Sequence, residues 1–264
     1  MQSPEQAARA LLRHRADGTA NPVLPKGQRL EDFGRAYAIQ DAGDTILRAE
    51  RNFVPIGYKI GASNKMARDF LGIDTPFYGR LYRQMASLSP TVVPFVADFF
   101  KAYEPEIGIQ IARDLHPTGA PFDAAAIEAA TQAVLPAIEL VGSHFSPWTE
   151  AGAPNLVSDN AAFAHWVMGA PIREWSGLDL LDAPIVLDID GVRRGEGKGR
   201  NVDGGAFGAA AWLANALAAA GKYLRSGDYI TTGIVMPPVA IESGHHTIAD
   251  FGPLGRVEVR IASL

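Results

Sequence analysis

Three acidic residues in two apolar, strand-like segments are the side chains of this sequence best suited to chemistry. Glu104 and Glu106 stand two positions apart in residues 103–111, where isoleucines alternate with small or polar residues. That alternation is typical of a half-buried strand, so both carboxylates are expected on the same face. Glu139 interrupts the apolar run of residues 135–141, where a carboxylate is costly to bury unless it is paired or coordinated.

Together the three carboxylates suggest a site for a hard cation. Like charges side by side are unfavourable unless a cation or a shared proton lies between them, and neither segment contains a lysine or an arginine. Carboxylate oxygens are the ligands that Mg²⁺ and Mn²⁺ prefer. The alternative for Glu104 and Glu106 is a solvated strand edge. Pro105 between them predicts the first residues or an edge of a strand, because proline cannot donate to a ladder.

Lys59 is the one charged residue of a short predicted strand, residues 55–61. Burial disfavours an ammonium group, so a lysine inside an apolar strand is rare unless an anion or a function keeps it there. Two interpretations stay open on this pattern alone. Lys59 either extends to the surface or serves a buried site.

The elements that position these residues predict an α+β protein. One helix begins at Ser3-Pro4, with Gln6 closing a capping box, and a second spans about residues 30–50 with one apolar face. Residues 1–50 contain few large apolar groups, which argues against an independent core. We therefore expect a helical N-terminal cover, residues 1–50, on a β-rich core, residues 51–264, in one structural unit.

The rest of the chain mixes short helices with strands that look mostly antiparallel. Asp190-Gly191 predicts a hairpin turn, and the proline-containing excursion 145–156, with Trp148, is a candidate lid. Further helices are predicted at residues 64–70, 123–133, 161–168 and 208–220. Further strands are predicted at residues 229–235, 247–251 and 256–261.

Composition limits the classes of function. The formal net charge is −5, with 47% hydrophobic and 20% charged residues and no cysteine. This balance offers no basic surface for nucleic acid or for anionic lipid, and the lack of cysteine excludes disulfides and thiolate chemistry. The sequence has neither a signal-peptide pattern nor an apolar run of about 20 residues that would cross a membrane. A cytoplasmic protein is the expectation.

Six short motifs in a fixed order resemble one known family. Across residues 30–264 the chain resembles the 2-oxopent-4-enoate hydratase and 4-oxalocrotonate decarboxylase family, within the fumarylacetoacetate hydrolase superfamily. The motifs are Gly57-Tyr58-Lys59-Ile60-Gly61, Glu104-Pro105-Glu106, Ala137-Ile138-Glu139, Ser158-Asp159-Asn160-Ala161, Ala211-Trp212-Leu213-Ala214-Asn215 and Ser226-Gly227-Asp228-Tyr229-Ile230-Thr231-Thr232-Gly233.

The resemblance implies a mixed β-roll core and an active site with a divalent metal. Mg²⁺ or Mn²⁺ would be held by Glu104, Glu106 and Glu139, and Lys59 would be the active-site cation, its pKa lowered by burial and by the metal. A 2-oxo- or 2-hydroxy-dienoic acid would bind the metal through its C1 carboxylate and C2 oxygen. Lys59 and Asp159 are then the expected catalytic residues, and Asn160, Thr232, Gly233 and Phe77 the expected substrate-binding residues.

The sequence departs from the family pattern at three places. Phe77 stands where the hydratases usually carry an acid, and Ala162 where they tend to have serine. Gly142-Ser143-His144 replaces the frequent Asp-Ser-Arg. Polar groups that could steer water or a proton are thereby lost, which favours a bulkier or more apolar substrate tail.

The function that follows from the resemblance is a hydro-lyase of aromatic catabolism. It would add water at C4 of a 2-hydroxy-2,4-dienoate to give a 4-hydroxy-2-oxo acid. One alternative is a 4-oxalocrotonate-type decarboxylase, which needs no water-activating acid but needs a cation for a distal carboxylate, for which Arg80, Arg83 or His144 are the candidates. A C–C hydrolase would need a histidine–glutamate pair, and no histidine is convincingly placed for it.

The remaining alternative is a non-catalytic scaffold subunit. The family suggests a homo-oligomer, either a dimer or a ring of dimers, that could associate with a decarboxylase or hydratase paralogue.

Overall fold

The computed structural model describes residues 2–17, 21–22 and 29–263 of the chain. The helices are α1 (Pro4–Asp17), α2 (Phe33–Arg51), α3 (Lys65–Leu71), α4 (Ala124–Glu128), α5 (Ala153–Ser158) and α6 (Gly205–Ala219). The strands are β1 (Asn21–Pro22), β2 (Pro55–Gly61), β3 (Phe77–Tyr82), β4 (Ala86–Leu88), β5 (Thr91–Val93), β6 (Phe100–Ile111), β7 (Thr131–Gly142), β8 (Phe145–Ser146), β9 (Phe163–Met168), β10 (Pro184–Ile189), β11 (Val192–Lys198), β12 (Tyr229–Thr231), β13 (Val239–Ala240), β14 (His246–Asp250) and β15 (Arg256–Ile261).

Two mixed sheets carry the fold. The larger sheet has the order β3-β2-β12-β6-β7-β9-β4, with β13 also paired to β6, and the smaller has the order β11-β10-β14-β15-β5. Most neighbours are antiparallel, while β2–β12, β4–β9 and β5–β15 are parallel. The mixed β core that the family resemblance implies is therefore confirmed.

A continuous hydrophobic core joins the two sheets to α6. It includes Ile109 from β6, Ile138 from β7, Leu187 from β10, Val257 from β15 and Leu213 from α6, all fully buried. Alternate residues of strands with one face on a core are apolar, and this alternation made β10, β15 and the hairpin between β10 and β11 predictable. Within the described residues, none of the helices is both long and apolar enough to cross a membrane.

The N-terminal helices pack on one end of the larger sheet. The predicted capping box of α1 is present, with Gln6 N donating to Ser3 Oγ and Ser3 N donating to Gln6 Oε1. Leu12 of α1 and Leu47 of α2 share a cluster with Tyr82 of β3. The Gln40 side chain of α2 donates to two backbone carbonyls of the body, 2.9 Å away in each case. That residues 1–50 do not fold alone stays a prediction.

The helix predicted at residues 161–168 is wrong. The helical turn lies earlier, in α5, and residues 163–168 form β9, whose Val167 pairs with Ile138 of β7. Asn160, Ala161 and Ala162 between them have φ of 51°, 56° and 58°. These left-handed residues turn the chain from helix into strand, and we call residues 160–162 the left-handed turn.

Pro105 lies neither at the start of a strand nor in an edge strand, contrary to the prediction. It falls in the middle of β6, which is an interior strand of the larger sheet. On one side of β6, however, β13 pairs only with residues 102–103 and β12 only with residues 108–110. The gap between these two short strands accommodates a residue without an N–H group.

Candidate active site

Neighbouring strands β6 and β7 bring the three predicted carboxylates together. Glu104 and Glu139 are direct cross-strand partners, and Glu106 lies two residues further along β6 on the same face. One carboxylate oxygen of each residue lies within 4.8 Å of the others. Glu106 and Glu139 are fully buried, whereas Glu104 reaches a cavity. The strand alternation and the register together therefore assemble one cluster.

The chemistry of this cluster fits a hard divalent cation. Glu106 Oε1 and Glu139 Oε2 are buried and accept no hydrogen bond from any described residue. Buried carboxylate oxygens without a partner are costly, and three converging carboxylates are typical ligands of Mg²⁺, Mn²⁺ or Ca²⁺. Glu104, Glu106 and Glu139 could therefore hold such a metal ion.

Lys59 lies beside the cluster and not at the surface. It is only 3% exposed, and β12 lies between its strand, β2, and β6. Its Nζ is 2.9 Å from Glu139 Oε1 and donates to the carbonyl oxygen of Ala161, also at 2.9 Å. The surface interpretation of Lys59 is therefore wrong, and the ammonium group is oriented by one acid and one backbone carbonyl.

The charges of the metal-free cluster shift one another. Burial raises the pKa of Glu106 to about 7, helped by the charge of Glu104 and opposed by Lys59. Burial likewise raises the pKa of Glu139 well above its ordinary value, although Lys59 opposes the shift. Burial disfavours the charge of Lys59, but the three carboxylates outweigh it and raise its pKa. The lowered lysine pKa, expected with the metal bound, stays a prediction.

The end of β12 supports Glu106. Gly233 N donates to Glu106 Oε2 at 2.7 Å, and the Thr231 hydroxyl donates to the same oxygen. Gly233 has φ of 107°, and a Cβ there would lie 1.6 Å from Ser63 Oγ, so only glycine fits. Thr232, by contrast, donates to the backbone carbonyl of Ile107 at 2.7 Å. Thr231 was missed in the sequence because only the register of β12 shows which threonine faces the cluster.

Asp159 and Asn160 occupy the back of the site. Asn160 exchanges two hydrogen bonds with the backbone of Arg80, at 2.8 and 2.9 Å. Asp159 accepts from His144 N at 2.7 Å, and its Oδ1 is 2.5 Å from His144 Nδ1. Neither residue is among the described residues that line the cavity of about 260 Å³ above Lys59 and Glu104. Their neighbours Ala161 and Ala162 do line it.

The sequence suggested His144 only as a candidate cation for a distal carboxylate. It is buried against Asp159, and its Nε2 is without a hydrogen-bond partner in the described part of the chain. It borders a small cavity of about 30 Å³ between α2 and the left-handed turn, and not the cavity above Lys59. The pair was not recognisable in the sequence because its members are 15 residues apart.

A cavity of about 260 Å³ opens above Lys59 and Glu104. Phe77 and Ala162, two of the departures from the family pattern, lie in its wall, together with Trp148 of the predicted lid segment. A Cβ on Gly61 would lie 2.4 Å from the Phe77 ring, so the close approach of that ring to β2 depends on glycine. The cavity therefore has a charged floor and an apolar wall.

Solved structures show which known fold the chain shares. The chain aligns with 4-oxalocrotonate decarboxylase from Pseudomonas putida G7, solved with magnesium and adipate, with a TM-score of 0.90 at 23% identity, covering 98% of this chain and 97% of that one. Fumarylpyruvate hydrolase from Pseudomonas aeruginosa, solved with Mn²⁺ and pyruvate, aligns with a TM-score of 0.63 at 15% identity, covering 78% and 89%. The fold is that of the fumarylacetoacetate hydrolase superfamily.

Curated relatives narrow the class to a family. The chain is 30% identical to 2-keto-4-pentenoate hydratase 2 of Dechloromonas aromatica over 262 residues, 98% of each chain. It is 31% identical to 2-hydroxyhexa-2,4-dienoate hydratase of Comamonas testosteroni over 194 residues, 72% of this chain and 71% of that one. No family model matches the sequence. The chain belongs to the 2-keto-4-pentenoate hydratase family.

Proposed function

We propose that this protein is a divalent-metal-dependent hydratase that converts a 2-hydroxy-2,4-dienoate to a 4-hydroxy-2-oxo acid, in the breakdown of aromatic compounds. The observation that carries the proposal is the set of three converging carboxylates facing Lys59 at the floor of a cavity, two of which, Glu106 and Glu139, have buried oxygens without a hydrogen-bond partner. The relatives that share the chain's full length are named for the hydration of 2-keto-4-pentenoate.

Glu104, Glu106 and Glu139 would hold Mg²⁺ or Mn²⁺. When bound, such an ion supplies a Lewis acid for the carboxylate and C2 oxygen of the substrate. Thr231 and Gly233 keep Glu106 Oε2 in place and leave Oε1 free for the ion. Glu104 faces the cavity, so the substrate head would lie beside it.

Lys59 is the proposed acid. Ketonisation of the dienol needs a proton at carbon, and water then adds at C4. Because the carboxylates keep Lys59 protonated, its Nζ can donate to the developing enolate or hand on a proton. The Ala161 carbonyl and the Glu139 carboxylate fix the orientation of the Lys59 ammonium group.

In this proposal, Asp159, Asn160 and Thr232 do not take part in the reaction themselves but hold other groups of the site in place. Asn160 fixes the left-handed turn and thereby the Ala161 carbonyl, while Thr232 fixes β6 at Ile107. Asp159 orients His144. A direct catalytic role for Asp159, and substrate contacts of Asn160, Thr232 and Gly233, stay predictions.

The decarboxylase alternative needs a cation for a distal carboxylate. The Arg80 guanidinium lies 4.2 Å from the centre of the Tyr58 ring, and His144 is paired with Asp159. Arg80, Arg83 and His144 are all absent from the described lining of the cavity. The geometry therefore favours hydration.

The test is incubation with 2-hydroxypenta-2,4-dienoate and Mg²⁺, with the products followed by proton NMR. We expect metal-dependent formation of 4-hydroxy-2-oxopentanoate, abolished by a chelator and by Glu106→Ala. The substitution Glu196→Ala, at an exposed position of β11, is the matched control. Ketonisation without hydration would overturn the proposal and favour the decarboxylase, and no metal-dependent change would favour a larger substrate or a scaffold subunit.

The assembly and location expected from the resemblance belong to the same proposal. A homo-oligomer, either a dimer or a ring of dimers, could include a paralogue, and a cytoplasmic location would suit a catabolic enzyme. Light scattering on the purified chain measures the oligomeric state directly.

A further inference from the structure

We infer that the substrate of this hydratase carries a bulky, uncharged apolar group at the end of the diene remote from the carboxylate. The inference rests on the proposed function and names its substrate class. Alkyl- or aryl-substituted 2-hydroxy-2,4-dienoates belong to this class. The unsubstituted five-carbon acid would be a poorer substrate, and dicarboxylic acids lie outside the class.

The volume of the cavity is the first step. It measures about 260 Å³, whereas an apolar cavity of about 150 Å³ is sufficient for benzene. A five-carbon 2-hydroxydienoate has about eight non-hydrogen atoms against six in benzene, so a cavity of about 200 Å³ is sufficient for it. Its head would lie at the floor beside Lys59 and Glu104, and roughly 60 Å³ therefore remains between its terminal carbon and the mouth.

The chemical character of that remaining space is the second step. Beyond the floor, the wall is formed by the apolar side chains of Phe77, Val141, Leu156 and Ala162. Ligand sites are largely apolar, with few polar groups that fix orientation. Lys59, Glu104 and Thr149 are the polar side chains in the described lining, and the two charged ones lie at the floor, so the substrate is expected to be charged at one end only.

The distribution of charge is the third step. Lys59 is the one basic residue among the described residues that line the cavity. The two cations of the nearby helix α3 are engaged elsewhere, Lys65 with Asp69 and Arg68 with Asp203, each at 2.6 Å. A second carboxylate at the far end would lie unpaired among apolar groups, which is strongly unfavourable.

The mouth of the cavity is the fourth step. Met66 and Phe70 of α3 line it and are 52% and 64% exposed, which is unusual for side chains of that size. Trp148 and Pro238 line the same cavity. An apolar tail that extends from the floor to this mouth would cover surface that is otherwise left in water, and such burial favours binding.

The test compares kcat/KM across a series of substrates with Mg²⁺ present. The series is 2-hydroxypenta-2,4-dienoate, its six- and eight-carbon homologues, the 6-phenyl-hexadienoate and the dicarboxylic hexadienedioate. Each buried methylene is expected to raise kcat/KM about fourfold, so the phenyl compound should exceed the five-carbon acid at least about tenfold. A flat or falling series, or preference for the dicarboxylate, would overturn the inference.

A substitution at the mouth localises the effect. Phe70→Ser is expected to reduce the ratio of kcat/KM between the phenyl and five-carbon substrates about tenfold. Leu88→Ser, at an exposed leucine of β4, is the matched control and should leave the ratio unchanged. An unchanged ratio in Phe70→Ser would contradict the assignment of the tail to this cavity.

Binding of unreactive analogues separates this inference from the proposed function. Calorimetry with Mg²⁺ compares 2-oxopentanoate with 6-phenyl-2-oxohexanoate. Tighter binding of the phenyl compound supports the inference even if no dienoate is hydrated, in which case only the proposed function fails. Hydration of the five-carbon acid with equal binding of both analogues would retain the function and overturn the inference.

Discussion

At the scale of single residues, Glu106 shows a conflict between burial and charge. It is fully buried, beside Glu104, and the two donors, Thr231 at the end of β12 and Gly233 just beyond it, reach only one of its oxygens. Its pKa of about 7 in the metal-free protein, against an ordinary 4.5, means that the folded state binds this proton more tightly than the unfolded state does. Stability therefore falls as the pH rises from 4.5 through 7.

Glu106→Gln should consequently stabilise the metal-free protein at high pH. At pH 8 the variant removes a buried negative charge, and we expect its free energy of unfolding to rise by about 2 kcal/mol. At pH 4, where Glu106 is protonated, wild type and variant should be similar. The measurement is urea unfolding at both pH values in the presence of a chelator, with Glu196→Gln as the exposed control. An equal effect at the two pH values would contradict the assignment of the shift.

The three carboxylates and Lys59 could be found in the sequence because each is a charge in an apolar strand. Thr231 and the pair of His144 with Asp159 could not, because a hydrogen bond between distant segments depends on register and on the path of the chain. The order of motifs pointed to Asp159, but not to the atoms it contacts.

At the scale of elements, β9 brings a half-buried histidine against β4. His165 Nε2 lies 2.9 Å from Ser87 Oγ, and burial lowers the histidine pKa to about 4. The folded state thus excludes a proton that the unfolded state accepts near pH 6.5. The stability associated with His165 is full above pH 6.5 and is lost as the pH falls toward 4.

His165→Gln should remove this acid sensitivity. We expect the difference in unfolding free energy between wild type and variant to change by up to about 3 kcal/mol between pH 7 and pH 4. Thermal or urea unfolding across that range is the measurement, and His116→Gln, at an exposed histidine, is the control. A constant difference between wild type and His165→Gln would exclude His165 as the source.

The left-handed turn is the element that the sequence could not predict. Ser158-Asp159-Asn160 is a typical helix start, but the Asp159 carboxylate is used by His144 and the Asn160 amide by Arg80. Three successive non-glycine residues with positive φ are uncommon. Propensity favours the helix here, and tertiary hydrogen bonds override it.

Ala161→Gly measures the strain in this turn. Relief of the left-handed conformation is favourable by about 1–2 kcal/mol, while the lost buried methyl, about 0.8 kcal/mol, and the flexibility of glycine, about 0.5–1 kcal/mol, oppose it. We expect a change in stability near zero. The matched Ala210→Gly, at a buried position inside α6, should cost about 2 kcal/mol. Equal losses at both positions would mean that the turn is unstrained.

At the scale of the whole molecule, the helical cover and the site are physically continuous. Ala36 of α2 packs in one cluster with Phe77 and Ala161, so the first helices form the back of the wall that faces the substrate. The sequence predicted that the first residues are helical and that the rest of the chain is rich in strands. It did not predict the pairing order of the strands, because short strands of similar composition offer no local information about their partners.

The direct opposition of Glu104 and Glu139 across β6 and β7 also bears on how the chain finds its fold. A slip of one residue between these strands would turn Glu139 to the other face, and the three carboxylates would no longer converge. A divalent ion that requires all three would bind only chains with the correct register, and at a hundred times its Kd it would favour them by about 2.7 kcal/mol.

We therefore expect Mg²⁺ present during refolding from urea to raise the yield of native protein. Glu106→Gln should refold equally with and without the ion. Activity and compactness of the refolded chain are the measurements, and an equal benefit of Mg²⁺ for both proteins would contradict the idea. The catalytic ion would then also select, among the possible pairings of two long strands, the one that creates its own site.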